Sequence, residues 1–277
     1  MMILKRKAFD KGIFAVPYLL LSAIFIIFPL VLVLVYAFRG VDGQFTFDNF
    51  AQVFTNSTNY MLLLKTVGIA FLTTLLCLLI AYPVAFVLAS SRFNKHTILA
   101  LLFIIPMWMN FVLRMYALQS VLNLMGIKDS YLAAIIGMVY DYLPFMLLPI
   151  YTSLVNLDKS YKEASHDLGA GEVSTFFKVT LPLSVPGIIS GILMVFMPTF
   201  SSYAITDILG GTEASVIGGK INTYFTNQLT WGVGSALSFI LLVIVIVVMV
   251  VGNLITKASE KGSESGGDNT IVGGRIR

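Results

Sequence analysis

The sequence predicts an all-α membrane protein with six transmembrane helices. Three observations carry that prediction. Of 277 residues, 57% are hydrophobic and only 12% are charged, whereas soluble domains carry roughly 25% charged residues. Four stretches, 12–38, 66–91, 179–206 and 221–256, contain no charged residue. Lysine and arginine fall unevenly between alternate connecting segments. The apolar runs are continuous rather than alternating, which argues against a β-barrel.

Each span is justified in turn by length, since a crossing helix needs about 20 mostly apolar residues. The first follows Lys5, Arg6 and Lys7, as in a signal peptide. Its apolar core is too long for such a leader and no small-residue cleavage site is evident, so it reads as a retained helix. The second holds Cys77, the sole cysteine, which excludes an internal disulfide and reads as a small buried apolar residue. The third and fourth, 97–125 and 131–157, carry one interior charge each, Arg114 and Asp141. Asn123, Gly126, Lys128, Asp129 and Ser130 make the turn between them. The fifth span is 179–206, and the sixth begins near Trp231 after a polar approach.

Orientation follows from the basic residues. With the N-terminus inside, the cytoplasmic segments hold Lys5, Arg6, Lys7, Lys11, Arg92, Lys95, Lys159, Lys162, Lys178, Lys257 and Lys261, as well as Arg275 and Arg277. The outer side keeps Arg39, Lys65, Lys128 and Lys220. The expected organisation is a cytoplasmic N-terminus over 1–11 and a transmembrane domain over 12–256. A Gly- and Ser-rich tail over 257–277 is expected to be disordered and cytoplasmic.

Residues 157–182 form the most polar stretch in the middle of the chain and are placed inside. Ser160 and Glu163 have capping-box spacing. Asp158 and Lys162 are four apart in the favourable order. Leu157, Tyr161, Ala164, Ser165 and Leu168 share a face, and Gly169 is a helix stop. A second short helix starts near Glu172, and Pro182 marks entry to the fifth span. The expectation is a small helix–turn–helix on the cytoplasmic membrane surface. Such a segment also suits an amphipathic connector lying in the headgroups.

Glu163, Ala164, Gly169, Val179, Leu181 and Pro182 meet the spacing E-A-A-x3-G-x9-I-x-L-P, with Ser165 for the second alanine and Val179 for isoleucine. This stretch resembles the signature loop of membrane subunits of binding-protein-dependent ABC importers. The segments "YPVAFVLASS" (82–91), "IIPMWMNFVLRMYAL" (104–118), "YLPFMLLPIYTSL" (142–154) and "LPLSVPGIISGILMVFMPTFSSYAITDILGG" (181–211) extend the resemblance, within that family, to spermidine/putrescine permeases. The D-x-x-G-G run of Asp207, Gly210 and Gly211, and Arg114 with Tyr116, tilt the reading to polyamines.

The resemblance implies a type I importer permease fold, also called MetI-like, in the bacterial cytoplasmic membrane. It implies that the polar loop is a coupling helix, in which Glu163, Ala164, Ser165, Asp167, Gly169 and Ala170 dock on a cytoplasmic ATPase. It further implies two ATPase copies, a second homologous permease subunit and an extracellular polyamine-binding protein. ATP and magnesium would belong to the ATPase, with no cofactor on this chain. The lipid bilayer is its other partner, and no nucleic acid is expected. Permeases for other small solutes share the loop, so another substrate stays open.

Within the spans, an ionisable group marks a site or a pair, because it costs at least about 2.5–3.5 kcal/mol at the centre. On straight helices Arg114 lies roughly 25 Å from the inner end and Asp141 roughly 15 Å from the outer, which puts them at one depth in a layer about 40 Å thick. Two readings follow. The pair forms a buried salt bridge, or Asp141 faces an ammonium group in the pathway, with Tyr140 or Tyr142 offering a ring face. Pro144 adds a helix break of the kind that lines transporter cavities. Asp207 at the outer end of the fifth span could guide a polycation, or simply start a loop. Trp108 after Pro106 is either apolar packing or a substrate contact.

The chain contains no G-x-x-x-x-G-K-[ST] phosphate loop, so it cannot hydrolyse ATP by that route, and it reads as a non-enzyme. His96 and His166 stand apart with no cysteine cluster, which argues against a metal site. A self-sufficient secondary transporter would show inverted repeats or a relay of ionisable groups. A membrane enzyme would cluster its acids and bases. Neither pattern is visible in the sequence.

Overall fold

The computed structural model describes residues 16–40, 42–90, 105–211 and 214–267. The described residues are helical, joined by turns, with a single isolated bridge between Arg39 and Phe45. Helix α1 spans Val16–Ala37 with a π-turn at Ala23–Ile27. Helix α2 is Asp48–Thr55 and α3 is Ser57–Ala89. A 3₁₀ turn at Ile105–Trp108 precedes α4, Phe111–Leu124. Then come α5 (Tyr131–Val155), α6 (Lys159–Asp167) and α7 (Glu172–Leu183, with a π-turn at Phe176–Thr180). Helix α8 is Val185–Ser201, followed by Tyr203–Ile205 and a π-turn at Thr206–Gly210. Helices α9 (Ile217–Phe225) and α10 (Trp231–Gly267) complete the order.

Helices α1, α3, α5 and the stretch Gln228–Lys257 are long and apolar enough to cross a membrane. Helices α7 and α8 form a fifth candidate, bent by 59° at Ser184. Pro182 and Pro186 withhold backbone N–H groups on either side of that bend, and Ser184 Oγ donates to Leu181 O at 2.9 Å. The third expected span departs most from expectation. Its first half, 97–104, lies outside the described residues, as does the expected cytoplasmic segment 1–11. The rest is broken at Met109–Asn110. Asn110 Oδ1 accepts from the N–H groups of Val112 and Leu113, at 3.0 and 3.2 Å, and starts α4 afresh. At 14 residues α4 is about 21 Å long, short of a hydrocarbon core of about 30 Å.

Three further differences have local causes. Helices α2 and α9 fall in segments expected to be loops; α2 buries Asn49 and Val53 on one face, and α9 buries Ile217. Helix α3 starts at Ser57, nine residues before the expected 66, because Asn56 accepts from Thr58 N and caps the start. Helix α10 continues to Gly267, through the first part of the tail expected to be disordered. The remainder, 268–277, lies outside the described residues.

The chain divides into two compact units. The smaller holds 1–60 and 221–242. It buries Val53, Ala236 and Leu237, and carries beside them a partly exposed phenylalanine cluster in which Phe38 meets Phe45, Phe47, Phe50 and Phe239 at 4.9–6.3 Å. The larger holds 61–220 and 243–277, and its core centres on α5. Helix α8 packs along α5 through Gly187 and Gly191, a small-xxx-small pair that lets two backbones approach. A Cβ on Gly187 would stand 2.8 Å from Pro149 O, and one on Gly191 would stand 2.7 Å from Met146 Sδ. Met146, Leu147 and Ile150 are fully enclosed there. With α5 so clasped, its remaining face is left for the site.

Candidate functional site

Two places in the larger unit gather the residues singled out in the sequence. The first lies where α4, α5 and the 206–210 turn meet. Arg114 and Asp141, each 8% exposed, form an ion pair. This is the salt-bridge alternative, so the Asp141 carboxylate is already matched by a cation. Arg114 Nη1 also donates to Pro106 O at 2.7 Å, which ties α4 to the 3₁₀ turn before the break. Its Nε is buried with no acceptor.

Tyr140 lies beside the Arg114 guanidinium, 5.6 Å from its centre, and is partly exposed. Tyr142 turns the other way into the core, beside Phe145. A helix rotates about 100° per residue, so flanking positions cannot share a face. Trp108 sits on the 3₁₀ turn and is 87% exposed.

Gln119 donates through Nε2 to Ile208 O, fastening the π-turn to α4. On α5, Gly137 receives Leu209 and Ile205 so closely that a Cβ would lie 2.1 Å from Leu209 Cδ1. Gly210 fits between Ala214 and Ala134, and Gly211 turns at φ +55° beside Asp129. The D-x-x-G-G run is therefore a packed turn with Asp207 left exposed on it. Asn110 and Gln119 were missed as site residues. The signal for Asn110 was available: an asparagine opening an apolar run just after Pro106 is a helix start.

The second place is the polar loop. Helix α6 is capped by Asp158, whose Oδ1 accepts from Ser160 N at 2.9 Å. The expected Ser160 cap is displaced by two residues, and the Ser160 N–H that Asp158 binds holds the Asp158 carboxyl below its ordinary range. Asp158 is thereby engaged, and Lys162 lies over the Phe86 ring of α3 at 5.6 Å instead of pairing with it. At the other end Gly169 adopts φ +82°. Gly169 N donates to His166 O at 2.8 Å and Ala170 N to Ser165 O at 3.0 Å. Two bonds of that pattern make a Schellman stop, and glycine takes the left-handed position without a Cβ penalty.

The turn is braced from inside. Ser165 Oγ and Thr175 Oγ1 are 2.9 Å apart, His166 Nδ1 is 3.0 Å from Ala170 O, and His166 Nε2 is 3.7 Å from Glu172 Oε1. No α6 residue is buried; Glu163, Ala164, Asp167 and Gly169 face outward, Ser165 and Ala170 are half-buried, and Leu168 is 89% exposed. The loop is joined to α3 at a second point, where Tyr82 Oη and Ser184 Oγ are 3.0 Å apart and Phe176 packs on Tyr82 and Phe86.

Residues 5–264 match the family described as "Binding-protein-dependent transport system inner membrane component". The chain is similar to the Escherichia coli (strain K12) "Spermidine/putrescine transport system permease protein PotB", with 34% identity over 221 residues, 74% of this chain and 80% of that protein. Among solved structures it resembles a bacterial alginate ABC transporter in complex with a periplasmic protein, with a TM-score of 0.70 and 15% identity, covering 89% of this chain and 93% of that one. It also resembles the MetNI methionine ABC transporter, with a TM-score of 0.58 and 18% identity, covering 74% and 99%.

Proposed function

Because the chain belongs to the family of binding-protein-dependent transport system inner membrane components, we propose that it is the permease subunit of an ATP-driven importer for polyamines, spermidine or putrescine. The observation that carries the mechanical half is the polar loop. It is capped at one end and stopped by Gly169 at the other. It buries none of its own α6 residues. A rigid element that is braced on its inner side and leaves α6 exposed on its outer side is suited to a partner.

In this reading Glu163, Ala164, Ser165, Asp167, Gly169 and Ala170 dock on a cytoplasmic ATPase, one of two copies. The small residues allow close approach, and the two carboxylates meet basic groups there. ATP and magnesium stay on that partner, and this chain is not catalytic. A second, homologous permease covers apolar surface such as that around Trp108. A periplasmic or extracellular protein delivers the substrate. Both termini face the cytoplasm, and α4 belongs to the further span that the sequence places at 97–125.

For the pathway, Arg114 and Asp141 act as a fixed pair that holds the break at Asn110. Asp207 supplies the exposed carboxylate toward an arriving polycation, while Tyr140 and Trp108 offer ring faces; Tyr142 serves only by packing. The polyamine reading is supported by the Escherichia coli relative, whose name carries that substrate. It is tested by uptake of labelled spermidine and putrescine in vesicles holding the assembled importer and its binding protein. Transport of neither, with another solute carried, overturns the substrate and leaves the permease.

A further inference from the structure

Helix α1 ends at Ala37, and the chain folds back at once. Thr46 N donates to Phe38 O at 2.9 Å, Gly40 N to Gln44 O at 2.8 Å, and Gly43 N to Gly40 O at 2.9 Å. Asn49, 7% exposed, donates through Nδ2 to the carbonyls of Tyr36, Ala37 and Arg39 at 3.4, 3.0 and 2.9 Å. Those carbonyls would otherwise be the open end of a helix. The Arg39 backbone is thus fixed from both sides. Its guanidinium is exposed and lies by Gly43, with Nη2 3.6 Å from where a Cβ there would stand. No carboxylate meets it among the described residues.

Arg39 separates two hollows of different character. On one side is a polar cleft of about 360 Å³ lined by Tyr36, Asn49, Gln228 and Trp231. On the other is an apolar groove of about 470 Å³ lined by Leu34, Val35, Phe38 and Phe45. Leu34 and Val35 belong to the last turns of a span with mean hydropathy 2.9 and are 40% and 50% exposed. The groove therefore begins in hydrocarbon, and Arg39 stands where hydrocarbon gives way to headgroups. Tyr36 and Trp231, edge to face at 5.6 Å, are the residue types that mark that level.

We propose that this is a binding site for one phospholipid. An acyl chain lies along Leu34, Val35 and Phe45, the phosphodiester meets Arg39, and the headgroup enters the cleft. A guanidinium gives a phosphate two parallel charge-assisted hydrogen bonds, and basic pockets beside spanning helices suit lipid phosphates. The groove argues for a lipid over a soluble phosphate, which would leave it empty. The cleft lining contains no carboxylate for an ammonium, and the Trp231 N–H is spent on Phe225 O at 3.0 Å. The Gln228 amide remains for hydroxyls, so the headgroup is glycerol and the lipid phosphatidylglycerol. This inference depends on the membrane placement of α1 and not on the transported solute.

The test is native mass spectrometry of the full chain in detergent with equal phosphatidylglycerol and phosphatidylethanolamine. We expect one retained phosphatidylglycerol, in at least fivefold excess, falling at least fivefold in Arg39→Gln. A phosphatidylglycerol with a photoreactive acyl chain, added to the unaltered chain, should label the 34–45 segment. The second measurement keeps the test valid if Arg39→Gln misfolds. Equal retention of both lipids, unchanged retention in the variant, displacement by soluble glycerol phosphate, or labelling elsewhere would each overturn the proposal. So would a polypeptide cross-linked at Phe45 in place of lipid in the assembled importer.

Discussion

A guanidinium and a carboxylate removed from water are each costly, and breaking such a pair by deleting one member costs about 3–5 kcal/mol. Arg114 and Asp141 meet that description, and Arg114 additionally holds Pro106 O. Asp141→Asn is therefore expected to lower the unfolding free energy of the detergent-purified chain by about that cost, read as a sharp fall in its thermal midpoint. The double change Arg114→Met with Asp141→Leu should recover most of it, because an apolar pair of similar volume has no charge to desolvate. If Asp141→Asn unfolds normally and only uptake falls, the carboxylate faces cargo and the fixed-pair reading is wrong. Depth on two straight helices had narrowed the sequence reading to pair or cation site; it could not choose, because the partner's rotamer is set by packing. At Gly187 the constraint is backbone itself. Gly187→Ala should destabilise by about 1–3 kcal/mol by overpacking against Pro149 O. Gly68→Ala, at an exposed helical site with nothing within 4 Å, should stabilise by about 0.5–1 kcal/mol. Unfolding of both variants side by side checks the contrast.

Among the elements, α6 owes its start to a charged cap. The Asp158 carboxyl titrates below its unfolded value, so its contribution is complete above the ordinary carboxylate range and fades only as pH falls through the lowered value. The amide protection factors of Ser160 and Tyr161, which correct for the intrinsic rise of exchange with pH, should hold steady from pH 5 to 8. They should fall in Asp158→Ala and stay high in Asp158→Asn, which keeps a capping oxygen. Gly169→Trp at the far end should abolish ATPase co-purification while leaving membrane insertion intact, and co-purification at the normal level would refute the docking role. The stop at Gly169 was legible from the sequence, since few residues other than glycine tolerate φ +82°. The cap was misplaced by two residues because Asp158 and Ser160 both suit that role and local pattern does not rank them. Helices α2 and α9 escaped notice for a related reason. Their polar faces dominate short windows, and only the tertiary burial of Val53 and Ile217 selects a helix.

For the whole molecule, the long apolar runs were readable because hydrophobicity is local and additive, while the interruption at Asn110 was passed over, because two apolar halves look like one and only the asparagine after Pro106 marks the fresh start. Vesicles holding this chain alone should show no ATP-dependent uptake, and uptake should appear once the ATPase, second permease and binding protein are added. Within that assembly Asp207→Asn should raise the half-saturating concentration for spermidine more than for the less charged putrescine, measured as initial rates. The bend at Ser184 has a mechanical corollary. Its hydroxyl touches Tyr82 on α3, and Lys162 rests on Phe86 one turn along that same helix. A thrust on the α6–α7 hairpin would reach α8 and α3 together, as a crank turning two rods from one pin. Cutting a single linkage, as in Tyr82→Phe, should leave ATP turnover coupled but slacken it, with more nucleotide spent for each solute moved.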